Sequence, residues 1–368
     1  MRFIGIDLHN DNLLAIFIDK NGDASSKCTV DLCDQKKFEE FRKSLTNEDY
    51  AAFETTTNSF WLYDQIKNLV KEAFVVNTHK FSGKKRKSKK TDYQDACKIA
   101  ERLRYFITFN RSEELFPIVY VPEKEVQELR SMFSTYTLLL KQKTMNKNRI
   151  RSLLVQQGIY LKGVNIWTDV MKEKIVNMEM AVSAKYQITL LQNQIDDLEN
   201  QLEKLKAAIL VNGQYFEKEI ELITSIKGIS VFTAIAIMTD IATVDRFETA
   251  KKMCSYLRSA PSINESNETT KMGPVNKQSR KLALTMLVQG IHHAYRSSAY
   301  LFNIFNRIKS KKKAGKARVA IARKIFEAIY YMLKKGEYFY WTHKDNHEKK
   351  MNQYKKFLQK KEKLGKTA

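Results

Sequence analysis

The sequence predicts an α/β fold followed by all-α structure: a mixed sheet with helical cover, a long helical middle, and a mostly helical C-terminal domain. Three observations carry this. Short apolar strands alternate with helical patterns before about residue 110, glycine and proline almost vanish from about 123 to 211, and apolar residues then recur at helical spacing to about Trp341.

Taken in order, Arg2 to Leu8, Leu13 to Ile18 and Cys28 to Leu32 read as three antiparallel strands, the last two joined through an Asn21-Gly22 hairpin signal. A helix at about 35–45, the apolar strand Tyr50 to Phe53, a helix at about 58–71 and the strand Ala73 to Val76 follow. A basic loop, Lys80 to Lys90, leads into a helix from Asp92 to about Phe106. Within the helical middle, Ile188, Leu191, Ile195, Leu198, Leu202, Leu205 and Ile209 step alternately by three and four, a coiled-coil seam. Its partner is either the earlier helix carrying Leu129, Met132, Tyr136 and Leu139, or a second copy of the chain. The expected divisions are therefore 1–110, 120–215, 220–341, and a solvated basic tail at 342–368.

Composition narrows the function. In 368 residues there are 64 Lys and Arg against 41 Asp and Glu, a formal net charge of +23. Such a surplus repels itself and attracts polyanions, with nucleic acid the first candidate. No apolar stretch is long enough to span a bilayer and no lipidation signal is present, so no membrane partner is expected. With no apolar leader at Met1, the protein is expected to be soluble and cytoplasmic. Cys28, Cys33, Cys97 and Cys254 are too scattered for a disulfide framework or zinc site, and His343 and His347 fall in the lysine-rich tail.

Four carboxylates stand out. Asp7 ends the first strand on the face opposite Ile4 and Ile6, and Glu54 ends the fourth. Thr91 and Gln94 form a capping box that accounts for Asp92 by the helix dipole. Asp95 shares the face of Asp92, Ile99 and Leu103, so two like charges point together, an arrangement that calls for a cation between them. Acids from rigid elements are the oxygen ligands a two-magnesium phosphoryl-transfer site needs, and the strand pattern fits an RNase H-like sheet.

The segments Ile4-Gly5-Ile6-Asp7, Phe53-Glu54-Thr55-Thr56 and Lys90-Thr91-Asp92-Tyr93-Gln94-Asp95-Ala96 resemble the RuvC-like DEDD domain of the IS-one-ten insertion-sequence transposases, with Piv-type invertases as relatives. The resemblance implies that Asp7, Glu54, Asp92 and Asp95 bind magnesium, two ions per site. Thr57 stands where the family usually has glycine. Farther on, Ile223 to Ala234 approximates a helix-hairpin-helix turn around Gly228, a candidate phosphate contact. With Asp245-Arg246-Phe247, Pro261 and Lys277 to Arg280, this is similar to the family's C-terminal domain, which implies a catalytic serine at Ser266 in a polar loop. Asn267, Ser279 and Leu284 depart from the family pattern.

What the resemblance implies is a composite site in a homo-oligomer, dimer or tetramer, where Ser266 of one subunit links covalently to a DNA strand end beside the acids of another. A structured noncoding bridge RNA would then pair with donor and target DNA. Candidate nucleic-acid contacts are Lys84, Lys85, Arg86, Lys87, Lys89 and Lys90, then Gly228, Lys277 and Arg280, then Lys311, Lys312 and Lys313. Phosphate contacts by such cations position a duplex without reading its sequence. An RNA-independent invertase, a metal-dependent hydrolytic nuclease and a non-catalytic relic are the alternatives.

Overall fold

A computed structural model describes residues 1–78, 91–109, 116–266, 269–275 and 280–365, with 261–272, 274–275 and 363–365 described as backbone. The basic residues Lys84, Lys85, Arg86, Lys87, Lys89, Lys90 and Lys277 lie outside the described residues. The chain divides into two compact units, Met1–Pro122 and Glu123–Ala368.

The first unit is built on five strands: β1 (Phe3–Leu8), β2 (Asn12–Ile18), β3 (Ala24–Asp31), β4 (Tyr50–Glu54) and β5 (Glu72–Val76). Their order is β3-β2-β1-β4-β5, with the first three antiparallel and β4 and β5 parallel to β1. This is the expected RNase H-like mixed sheet. Alternation splits β1 between two layers. Ile4, Ile6 and Leu8 pack with Phe38, Phe41, Leu62 and Ile66 of α1 (Gln35–Ser44) and α2 (Ser59–Ile66), while Phe3 faces Ile99, Ala100 and Leu103 of α3 (Asp92–Thr108). Helix α2 stops short of the expected residue 71, because the chain turns at Lys67 to bury Val70 against the sheet.

Gly5 lets α3 lie on the sheet. A Cβ there would sit 2.1 Å from the Ala96 carbonyl oxygen and 2.5 Å from the Ala100 nitrogen, so helix backbone and strand backbone are in direct contact.

In the second unit, α4 (Lys124–Gln156) and α6 (Val182–Asn212) form a helical hairpin, with α5 (Asp169–Asn177) alongside. Ile150, Leu153 and Leu154 bury with Ile188 and Ile195 near the hairpin's turn, and Val126, Leu129 and Phe133 with Ile209 at its base. The coiled-coil seam therefore finds a partner within its own chain. Helices α7 (Glu217–Thr224), α8 (Val231–Ile241), α9 (Ala250–Tyr256), α10 (Leu282–Arg296), α11 (Ala299–Lys311) and α12 (Ala314–Lys335) share one core.

Two segments differ from expectation. The polar stretch at Ser266 is a β-hairpin, β6 (Pro261–Ser266) against β7 (Thr269–Val275), rather than a loop. The lysine-rich end is helix α13 (Lys344–Gly365), not a solvated tail: Met351, Tyr354 and Leu358 recur on one face and enter the core, and His347 is buried. Lys350 donates from Nζ to the Thr224 and Ile229 carbonyls, and Tyr354 to the Leu210 carbonyl, so the lysines pair with backbone as well as water.

Candidate active site

The sheet order sets the acids. Ile6 lies opposite Phe53 across the parallel β1–β4 pair, so Asp7 and Glu54 fall one residue farther along neighbouring strands, on the same face. That face carries α3, whose first turn begins at the same end. Thr91 caps α3, its Oγ1 accepting from the Gln94 N–H at 3.3 Å. Helix start and strand ends thus converge, and the contact at Gly5 keeps them close.

Asp7 is mostly buried. Its carboxylate lies 3.4 Å from His9 Nε2, which in turn lies 3.6 Å from the exposed Asp92 carboxylate. One ligand atom from each of Asp7, His9 and Asp92 falls within 4.8 Å of the others. Burial pushes the Asp7 carboxyl above the usual carboxylate range, and the charges of Asp92, Asp95 and Glu54 push it further, against the opposing pull of His9. All four acids therefore act on one point. Glu54 accepts a hydrogen bond from the Thr78 hydroxyl through Oε1, and Asp95 pairs with Lys98 at 3.2 Å.

Several carboxylates repelling one another at a half-open strand end form a donor set for a hard divalent cation, which prefers oxygen ligands and offsets the repulsion. The residues fit a divalent metal ion. His9 is the residue that sequence reasoning missed. It stands two residues beyond Asp7 at the β1–β2 turn, where His9 N–H donates to the Asn12 carbonyl and Asn58 Nδ2 donates to the His9 carbonyl at 2.8 Å. Its signal was the two-residue spacing, which places Asp7 and His9 on one face of an extended chain.

In the second unit the sequence candidates lie on separate elements. Ser266 ends β6 and pairs with Thr269 across the hairpin. Gly228 has φ +90° in the turn between α7 and α8, and Ser230 caps α8 by accepting from the Thr233 N–H at 3.1 Å. The turn is pressed against α10: a Cβ on Gly228 would meet the His293 Cβ at 2.8 Å, and one on Gly290 would meet the Gly228 oxygen at 2.8 Å. The glycine therefore has a packing role beside any phosphate role. Arg280 reaches toward Asp240, with Nη1 3.5 Å from Oδ1. Lys311 and Lys312 line, with Arg307 and Lys316, a cavity of about 450 Å³ between the end of α11 and the start of α12, and Lys313 is the N-cap residue of α12. Among the described residues, no helix is long and apolar enough to cross a membrane.

Comparison with known proteins now bears on both units. Residues 4–159 match the DEDD IS110 model, described as a transposase, and residues 220–305 match the model described as "Transposase IS116/IS110/IS902 family". A Sinorhizobium fredii protein named as a candidate transposase, y4qE, is 20% identical over 245 residues, which cover 65% of this chain and 57% of that relative's length. The DEDD match spans the strands and the helix that gather Asp7, Glu54, Asp92 and Asp95, and the second match spans Gly228, Ser266 and Arg280. With both units matched to models of the same group, the chain belongs to the IS116/IS110/IS902 family of transposases.

Proposed function

We propose that the protein is a DNA transposase that cuts and rejoins strands by phosphoryl transfer, with Asp7, Glu54, Asp92 and Asp95 holding two magnesium ions and Ser266 as the nucleophile. The observation that supports this reading is the action of Glu54, Asp92 and Asp95 on Asp7, with its raised proton affinity. Bound divalent cations supply charge neutralisation at the attacking and leaving oxygens. The chain's own groups do the rest. The carboxylates would hold those cations, and the Ser266 hydroxyl oxygen forms an ester bond to phosphorus. The bond from phosphorus to the departing strand's oxygen breaks, the serine proton passes to a neighbouring base, and the departing oxygen takes one up. Attack by a second strand end on the serine ester reverses the balance and rejoins DNA without hydrolysis.

The surplus of positive charge supports a polyanionic partner beyond donor and target DNA. A structured noncoding bridge RNA that pairs with both fits a chain whose candidate contacts are directed at phosphates, and a homo-oligomer is the working unit.

The test is incubation with the element's own end sequences and magnesium, followed by a denaturing gel. A protein–DNA adduct is expected from the unaltered protein. It should be lost in Ser266→Ala and in Asp7→Ala, with DNA binding retained in both. Free strand ends in place of an adduct would instead indicate a hydrolytic nuclease. RNA recovered with the protein at high salt and sequenced should be one abundant species, and strand exchange that survives its removal would indicate an RNA-independent invertase.

A further inference from the structure

Resting on the reading of Ser266 as nucleophile, we propose that Asp240 is a positioning residue. Its carboxylate fixes Arg280 and the first turn of α10, so that the Arg280 guanidinium meets a backbone phosphate of the bound DNA. Asp240 is fully buried near the end of α8. Its Oδ2 accepts from the Ala283 N–H at 2.9 Å, at the start of α10, where the helix's own N-cap residue, Lys281, makes no side-chain cap. Asp240 therefore caps a neighbouring helix in place of a local residue.

Its other oxygen, Oδ1, is buried without a hydrogen-bond partner and has Arg280 Nη1 at 3.5 Å, within ion-pair range but too long for a strong hydrogen bond. Two more guanidiniums stand nearby, and both act on backbone carbonyls. Arg130 donates to the Thr239 and Asp240 carbonyls, and Arg246 to those of Ile241 and Asp240, which together satisfy the end of α8. Among the described residues, Arg280 is the cation that turns to the carboxylate, and its side chain is 38% exposed, leaving part of the fork facing solvent.

Stability does not explain the charge. Burial pushes the Asp240 carboxyl above its ordinary range, against the opposing pull of the Ala283 N–H, Arg280 and Arg130. A neutral amide of the same shape would still accept from Ala283 through its oxygen, but it would set N–H donors against the Arg280 guanidinium. What the charge adds is a fixed direction for one guanidinium, the geometry that phosphate recognition by arginine requires.

The test uses the full chain with Asp240→Asn, Arg280→Gln and the double variant. Single-turnover adduct formation, the salt dependence of DNA binding and the melting temperature are measured for each. Asp240→Asn is expected to slow adduct formation roughly tenfold to a hundredfold when assayed well below its melting temperature. Both single variants should reduce the salt slope by about one, and the double should be no slower than Arg280→Gln alone. Unchanged rate and slope in Asp240→Asn, or losses that add in full in the double, would overturn the proposal. A wild-type protein that forms no adduct fails the serine reading instead, and the salt slope then still decides the role of Asp240.

Discussion

Replacing Gly5 by alanine should uncouple the acids without touching one of them. The added Cβ would lie 2.1 Å from the Ala96 oxygen, 2.5 Å from the Ala100 nitrogen and 2.9 Å from the Ala100 Cβ, where ordinary contact begins near 3.4 Å. Two of these neighbours are backbone, so no rotamer change relieves them, and α3 must retreat from β1 by more than about 1 Å. Asp92 and Asp95 ride on the first turn of α3 while Asp7 stays on β1. Overpacking of this kind costs about 1–3 kcal/mol, or a drop of several degrees in melting temperature for a unit of this size. A 1 Å misplacement of catalytic groups costs about a hundredfold in rate. The assay is magnesium-dependent adduct formation well below the variant's melting temperature, with Ala100→Gly added as a control. That second change removes only the Cβ contact, so it should not restore the rate. A Gly5→Ala protein that melts lower yet reacts within twofold of the unaltered one would refute the link between helix–sheet spacing and the site.

Other outcomes follow from the same geometry. Asp7→Asn should raise the melting temperature in metal-free buffer by relieving repulsion, and should abolish the rise of about 2.7 kcal/mol that magnesium at a hundred times its dissociation constant confers; calorimetry with and without chelator reads both. Because burial raises the Asp240 carboxyl in the folded state, its ionisation costs stability in full above that raised value and nothing below the unfolded carboxylate's, about 3.9. The stability difference between wild type and Asp240→Asn should accordingly move in the variant's favour as the pH rises from about 4 toward neutral, measured by denaturant unfolding across pH. Lys350→Met leaves the Thr224 and Ile229 carbonyls without their donor and should cost about 2 kcal/mol in the same unfolding assay, whereas a solvated tail would show no change.

The sheet and its acids were legible because their signals are local. Ile4 and Ile6 alternate with Gly5 and Asp7, Thr91 and Gln94 mark the start of α3, and Asp95 falls in line with Ile99 and Leu103. The remainder was obscured by composition or distance. Met351, Tyr354 and Leu358 form a stripe at helical spacing, but the surrounding lysines hide it from any average over the segment. Strands β6 and β7 lack apolar alternation, so no periodic signal in the sequence marks them as strands. The seam on α6 was plain, but its partner was not, since Ile188 and Ile150 meet only when the chain reverses. Asp240 and Arg280 are forty residues apart, and no periodicity links them.

His9 makes the choice of metal testable. Its Nε2 sits between two carboxylates, 3.4 Å from Asp7 and 3.6 Å from Asp92, on a turn held by Asn12 and Asn58. Magnesium demands oxygen ligands and takes imidazole poorly, whereas manganese accepts both at similar size. If the imidazole remains beside the bound ion, manganese should support a faster reaction than magnesium, and His9→Ala should bring the two rates together while the acids keep each ion in place. Equal rates with both metals in the unaltered protein would mean that His9 swings away on binding. Its role would then be confined to bridging Asp7 and Asp92 in the metal-free protein, and His9→Ala should lower the melting temperature only when chelator is present.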